Sequence, residues 1–311
     1  GYNCASQLTV PGAVNFKVTA TGSTTAEGTA LSYNAVHALG MQLFGAKGAI
    51  TTAKLGSVTG TVSANSGTAA IQGSTYSDAV GISAQSYAEL TSAGDVDLTV
   101  TANGTESKGA DGRLVAVGMA AIHNSHIQVD GNAAIKAAVN PVAGTEGYSL
   151  FYALALEAGM NSTINVGTDG EGHSLGKTVQ VEGDVAAAAD SKVNLTLDNS
   201  ASYLQGNVIT KSMESLPAGK VNLVVANGAT WRPVYDNRNG DFNNGTLNHA
   251  PDYTVTENSI DTLTLKDGGI VDLTWDNPTR SSAFRTLEVK DLTGDGGVFK
   301  INADLANNKA D

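Results

Sequence analysis

Three segments of the chain alternate apolar and polar residues in the same phase. Val58–Asn65, Val96–Asn103 and Ala133–Asn140 align without gaps, and their terminal asparagines are 38 and 37 residues apart. Counting back from each asparagine, every second position is small or aliphatic: Ala64, Val62, Gly60, Val58; Ala102, Val100, Leu98, Val96; Val139, Ala137, Ile135, Ala133. A period of two buries one face of a strand. Its return at a nearly constant interval predicts a stacked β-solenoid rather than a closed globule.

Four further stretches repeat another part of the unit: Asn34–Leu39, Asp78–Ser83, Arg113–Gly118 and Leu150–Ala155. Aligned on Val36, Val80, Val115 and Tyr152 they are 44, 35 and 37 residues apart, so insertions lie between them. The polar, glycine-rich stretches Ser66–Ser77, Gly104–Gly112, Pro141–Gly147 and Thr168–Gly176 are those insertions. In phase, they emerge from one edge of the rod, which is the candidate binding surface; the alternative is that they are merely tolerated. Asn65, Asn103 and Asn140 then fall on one line, where side-chain amides hydrogen-bond along the axis and asparagine suits a left-handed corner. From Val179 onward the insertions shrink, and Arg232–Tyr253 reads as a solvent-exposed excursion. At roughly 25 residues per layer and about 4.8 Å per layer, the rod has about twelve layers.

Composition supports a thin core. Apolar residues make up 41% but aromatics only 5%, and 36 glycines against 6 prolines suit many tight turns. The net charge of −12 argues against nucleic acid as a partner. A single cysteine, Cys4, excludes an intrachain disulfide. No signal peptide and no apolar run of membrane length is seen.

The C-terminal residues bring in a resemblance. Gly228–Trp231, Ser259–Gly269, Val271–Leu273, Phe284–Val289, Leu292–Gly294 and Gly296–Asp304, in that order, resemble the end of a pertactin-like passenger domain of a monomeric (type V) bacterial autotransporter. The resemblance implies a right-handed parallel β-helix with lateral loop insertions and a C-terminal cap. It divides the chain into a β-helix body, residues 1–226, and an autochaperone-type module, residues 227–311. It also implies secretion across the outer membrane, an outer-membrane β-barrel beyond this chain, and display at the cell surface. The usual activity is adhesion or aggregation, with host-surface or bacterial-surface proteins or glycans as partners. The module's layers would be built by Trp231, Leu263, Leu265, Leu273, Phe284, Leu287, Val289, Val298 and Phe299. Trp231 and Trp275 read as core or cap residues.

No catalytic constellation is legible, so no catalytic, cofactor-binding or metal residue is nominated, and the ligand-binding residues stay unknown. Gly294–Val298 holds no serine nucleophile, and no Gly-x-Ser-x-Gly elbow occurs. Asp95 and Asp97 share a face, as do Glu182 and Asp184, without a basic partner in phase. Asp169-Gly-Glu171-Gly-His173 suggests a metal loop but reads better as a solvent-facing turn. His123 and His126 sit three apart in a strand-like stretch, pointing to opposite faces. The leading expectation is a non-catalytic surface adhesin. A glycan-active β-helix enzyme and an architectural stalk presenting another domain are the alternatives. The polar ladders also allow rods to self-associate, with no register specified.

Overall fold

The computed structural model describes residues 5–22, 31–66, 71–104, 112–140, 148–211, 217–234, 257–274, 286–304 and 309–310. No helix occurs among them, and three sheets carry the fold. The first sheet has nine strands, from Ser6–Val10 to Thr286–Thr293; the second has nine, from Val14–Thr21 to Val298–Lys300; the third has six, from Leu31–Phe44 to Val208–Lys211. All pairings within them are parallel, and in each sheet the strands stack in the order of the coils. The molecule is a right-handed parallel β-helix, the hand that strand twist favours in parallel crossovers.

The alternating pattern fills the interior directly. Ala53, Leu90, Ile127, Ile164, Val193 and Val221 are register partners on successive coils of the first sheet, none more than 1% exposed. Each burial removes an aliphatic side chain from water, worth about 1.5–3 kcal/mol for a Val, Leu or Ile. The nine-stranded sheets continue through residues 226 and 227 without a break in their order.

The corner from the third sheet to the first is built the same way on four coils. Ser86-Tyr87, His123-Asn124, Met160-Asn161 and Ala189-Asp190 all have φ between 55° and 67°. Left-handed backbone is costly for such residues, and a column of buried serines steadies it. Ser125 Oγ accepts the Ala88 amide at 3.2 Å, Ser162 Oγ the Ser125 amide at 3.0 Å, and Ser191 Oγ the Ser162 amide at 3.3 Å. Buried turn amides are thus paired from one coil to the next.

The first four coils carry a lateral wing. Their third-sheet strands, Leu31–Phe44, Ile71–Gln85, Gly112–Ile122 and Tyr148–Gly159, bend at one column. Leu39, Val80, Val117 and Leu154 pair in register, as do Met41, Ile82, Met119 and Leu156, whereas Gly40, Gly81, Gly118 and Ala155 between them do not. A Cβ on Gly81 would lie 2.6 Å from the Gly118 carbonyl oxygen, and one on Gly118 2.5 Å from that of Ala155. Only glycine fits such an approach. Before the bend the strands pack on the second sheet as a separate core, in which Val36, Ala79, Leu114 and Ala153 meet Val62, Val100, Ala137 and Val139. After it they join the main core through Leu43, Ile82, Met119 and Leu156.

The wing explains two corrections. Equivalent serines are 37 residues apart in the winged part and 29 beyond it, so among the described residues the longest sheets have nine strands rather than about twelve layers. Val115 does oppose Tyr152, but Val80 opposes Val117 and Val36 opposes Ser77. The strands carry valines on both faces around the bend, so valine anchors alone misalign them.

Of the residues expected to build the C-terminal layers, Trp231 is fully buried between its register partners Leu204 and Val271, with Nε1 donating to the Gly206 carbonyl at 3.0 Å. Leu263, Leu265 and Leu273 are buried, and Leu287 and Val289 pack partly on the core. Val298 and Phe299 instead lie on the outermost second-sheet strand, 44% and 40% exposed, so they form no interior layer. Phe284, Trp275, Cys4 and residues 235–253 of the expected excursion lie outside the described residues.

Candidate functional site

The wing presents two outer faces and one edge. At the edge, Asn65, Asn103 and Asn140 are register partners closing three strands. Asn103 Nδ2 donates to Asn65 Oδ1 at 2.6 Å and Asn140 Nδ2 to Asn103 Oδ1 at 2.8 Å. The line expected from spacing is present. Its asparagines are strand residues and not among those with positive φ, so hydrogen bonding rather than left-handed backbone places them here.

Residues 67–70, 105–111 and 141–147 follow these asparagines and lie outside the described residues; the strands on either side stack in register. Thr168–Gly176 does not share their edge. It connects Thr163–Val166 of the first sheet to Val179–Glu182 of the second, a different corner of the coil. Glycine-rich polar loops look alike in sequence whichever corner they leave from.

On the outer side of the third sheet, three successive coils contribute a polar side chain to one cluster. Arg113 Nε donates to Asp78 Oδ1 at 2.9 Å, and His37 Nδ1 lies 3.1 Å from Asp78 Oδ2. Further along the same face Glu157 sits half-buried between its register partners Ala120 and Ala186. Burial pushes its carboxyl above the usual range, opposed by the Arg113 charge.

A second amide ladder runs down the outer face of the first sheet and was not expected. Asn165 Nδ2 donates to Gln128 Oε1 at 2.9 Å, Asn194 Nδ2 to Asn165 Oδ1 at 2.7 Å, and Asn222 Nδ2 to Asn194 Oδ1 at 2.8 Å. The signal was an asparagine after the first buried aliphatic in Ile164-Asn165, Val193-Asn194 and Val221-Asn222.

The Asp169 loop is folded on itself. Asp169 Oδ1 accepts the amides of Glu171 and His173, both at 2.8 Å, and Oδ2 lies 2.9 Å from His173 Nδ1. The hydrogen bond holds the Asp169 carboxyl below its usual range and the His173 imidazole above its own. With the exposed Glu171 they place three metal-ligating atoms within 4.8 Å of one another. Their contacts are to each other and to the loop.

The remaining carboxylates and histidines are dispersed. Glu182 faces outward beside Lys136, 2.6 Å away, and accepts Tyr203 Oη at 3.0 Å. Asp184 is buried, because Gly183 with φ 122° turns the corner between them. The expected shared face and the missing basic partner are therefore both corrected. Asp95 Oδ1 is held by the amide and side chain of Asn132 on the next coil. His123 lies in the corner turn and His126 opens the strand His126–Val129, so they do not share a strand. Burial lowers the His126 pKa, partly offset by Glu89. An apolar pocket of about 320 Å³ is open at the first coil, lined by Leu8, Val10, Val14, Met41, Leu43 and Leu55. Comparison with protein-family models, with curated proteins and with solved structures gives no match for this chain.

Proposed function

We propose that the chain is the passenger of a pertactin-like bacterial autotransporter, displayed outside the cell, and that it works as a non-catalytic attachment rod. Host-surface or bacterial-surface proteins or glycans are its partners, and an outer-membrane barrel carries it to the surface. The family reading rests on the ordered C-terminal motifs. The observation that carries the attachment role is the wing, whose three stacked strands end together in one asparagine ladder, so that the chain leaves the second sheet at the same edge on successive coils. An edge repeated from coil to coil can offer the same weak contact several times, and such contacts add by avidity.

The test is surface display of the passenger with and without residues 105–111. Attachment to host cells or bacterial aggregation should appear with the intact chain and fall at least tenfold without the loop, at equal expression. Normal display that changes neither behaviour sinks the proposal. A glycan-cleaving reading has one observation in its favour, the Lys136–Glu182–Tyr203 group on an exposed strand face. It requires product from a polysaccharide screen that disappears in Glu182→Gln.

A further inference from the structure

We propose that the loop Thr168–Gly176 is a binding site for a divalent ion of the zinc class, with Asp169 Oδ2, Glu171 Oε2 and His173 Nδ1 as its protein ligands. The inference goes beyond the attachment reading and does not depend on it. On other coils the corner from the first sheet to the second is closed by residues 130–132, 198–202 and 226–229, and on this coil by the longer stretch 167–178. The added residues fold back on themselves. Thr168 and Ser174 form an antiparallel bridge, and Thr168 Oγ1 donates to the His173 carbonyl at 3.0 Å. Asp169 Oδ1 accepts the Glu171 and His173 amides, both at 2.8 Å, which leaves Oδ2 as the oxygen that meets the imidazole. Contacts of this kind orient a metal ligand before the ion arrives.

The spacing of the donors suits a small ion. His173 Nδ1 lies 2.9 Å from Asp169 Oδ2 and 3.9 Å from Glu171 Oε2. Tetrahedral ligands about 2.1 Å from zinc stand about 3.4 Å apart, so each distance changes by only about 0.5 Å on binding. Glu171, 83% exposed, is able to make that move. The ion replaces the proton between Nδ1 and Oδ2, which passes to Nε2 or to water. Charge favours the exchange. Asp130 on the coil before and Asp198 on the coil after lie at the same corner, and the field they add attracts a cation. Among the described residues no lysine or arginine forms an ion pair with either of them, with Asp169 or with Glu171. Donor type then selects the ion, because calcium and magnesium take oxygen ligands, whereas one imidazole beside two carboxylates suits zinc and its transition-metal neighbours. Three ligands on an exposed loop leave a fourth position for water or for a donor from another molecule.

Isothermal titration of the untagged chain with zinc chloride, and separately with calcium chloride, tests this. Zinc should saturate a single site per chain with a micromolar dissociation constant, and calcium should bind at least a hundredfold more weakly. His173→Gln and Glu171→Gln alter exposed side chains, so the fold should survive, and each should weaken zinc by about tenfold or more. His37→Gln, on the third sheet, should leave zinc binding unchanged. Cobalt in place of zinc should give a visible absorption band that His173→Gln removes. Zinc that saturates no site, zinc affinity that is the same in both loop variants, or calcium bound more tightly than zinc overturns the inference. A chain that attaches to cells but binds no zinc refutes this site alone, whereas one that binds zinc but confers no attachment refutes the proposed function alone.

Discussion

Replacing Gly118 by alanine is the sharpest probe of the bend that makes the wing. The new Cβ would sit 2.5 Å from the Ala155 carbonyl oxygen and 2.7 Å from Ile135 Cγ2. An ordinary contact begins at 3.4 Å, so the neighbouring backbone must retreat by about 0.9 Å. Backbone held by ladder hydrogen bonds cannot do so cheaply, and overpacking of this kind costs about 3 kcal/mol, the upper part of its usual range. The same column holds Ala155 one coil later, fully buried and tolerated. There the next strand begins at Asp184, which pairs with Leu154, while its neighbour Val185 pairs with Leu156, so Ala155 is the extra residue of a register shift and has no partner in that strand. Gly170→Ala is the control, since nothing lies within 4 Å of its Cβ. Because coils of a solenoid contact only their neighbours, the loss should appear first as faster hydrogen exchange in Gly112–Ile122 and Tyr148–Gly159, with later coils unchanged. Equal exchange and equal urea stability in Gly118→Ala and Gly170→Ala would refute the reasoning, because crowding would then not be what reserves the column for glycine.

Two other outcomes follow from single contacts. Ser162→Ala leaves the buried Ser125 amide without its acceptor and should cost about 1–3 kcal/mol, read as lost exchange protection at Ser125 with little change at Asn194. Glu157 has its pKa raised in the fold, so the folded chain holds this proton to higher pH than the unfolded chain. Stability should therefore fall as pH rises from the ordinary carboxylate range through the folded value, and Glu157→Gln should flatten that slope in urea titrations across the interval; an identical slope in both chains contradicts the assignment.

The period-two segments were readable because strand burial is local, and a run such as Val96–Asn103 announces its inner face by itself. The asparagine line was readable because its spacing repeats. The spacing of Gln128, Asn165, Asn194 and Asn222 changes where the wing ends, so no fixed interval in the sequence connects them. The composition of the Asp169 loop carries no information about which two sheets it joins, so only the topology separates it from the asparagine edge.

By itself the sequence determined that short strands with one buried face would stack into a solenoid, since alternation and recurrence are properties of the chain alone. Only the tertiary structure decided where each coil turns, how many coils form, and that four of them extend into a wing. Those features depend on contacts between residues about a coil apart. A methyl at Gly118 is forbidden by the carbonyl of Ala155, and a serine at 162 is required by the amide of Ser125.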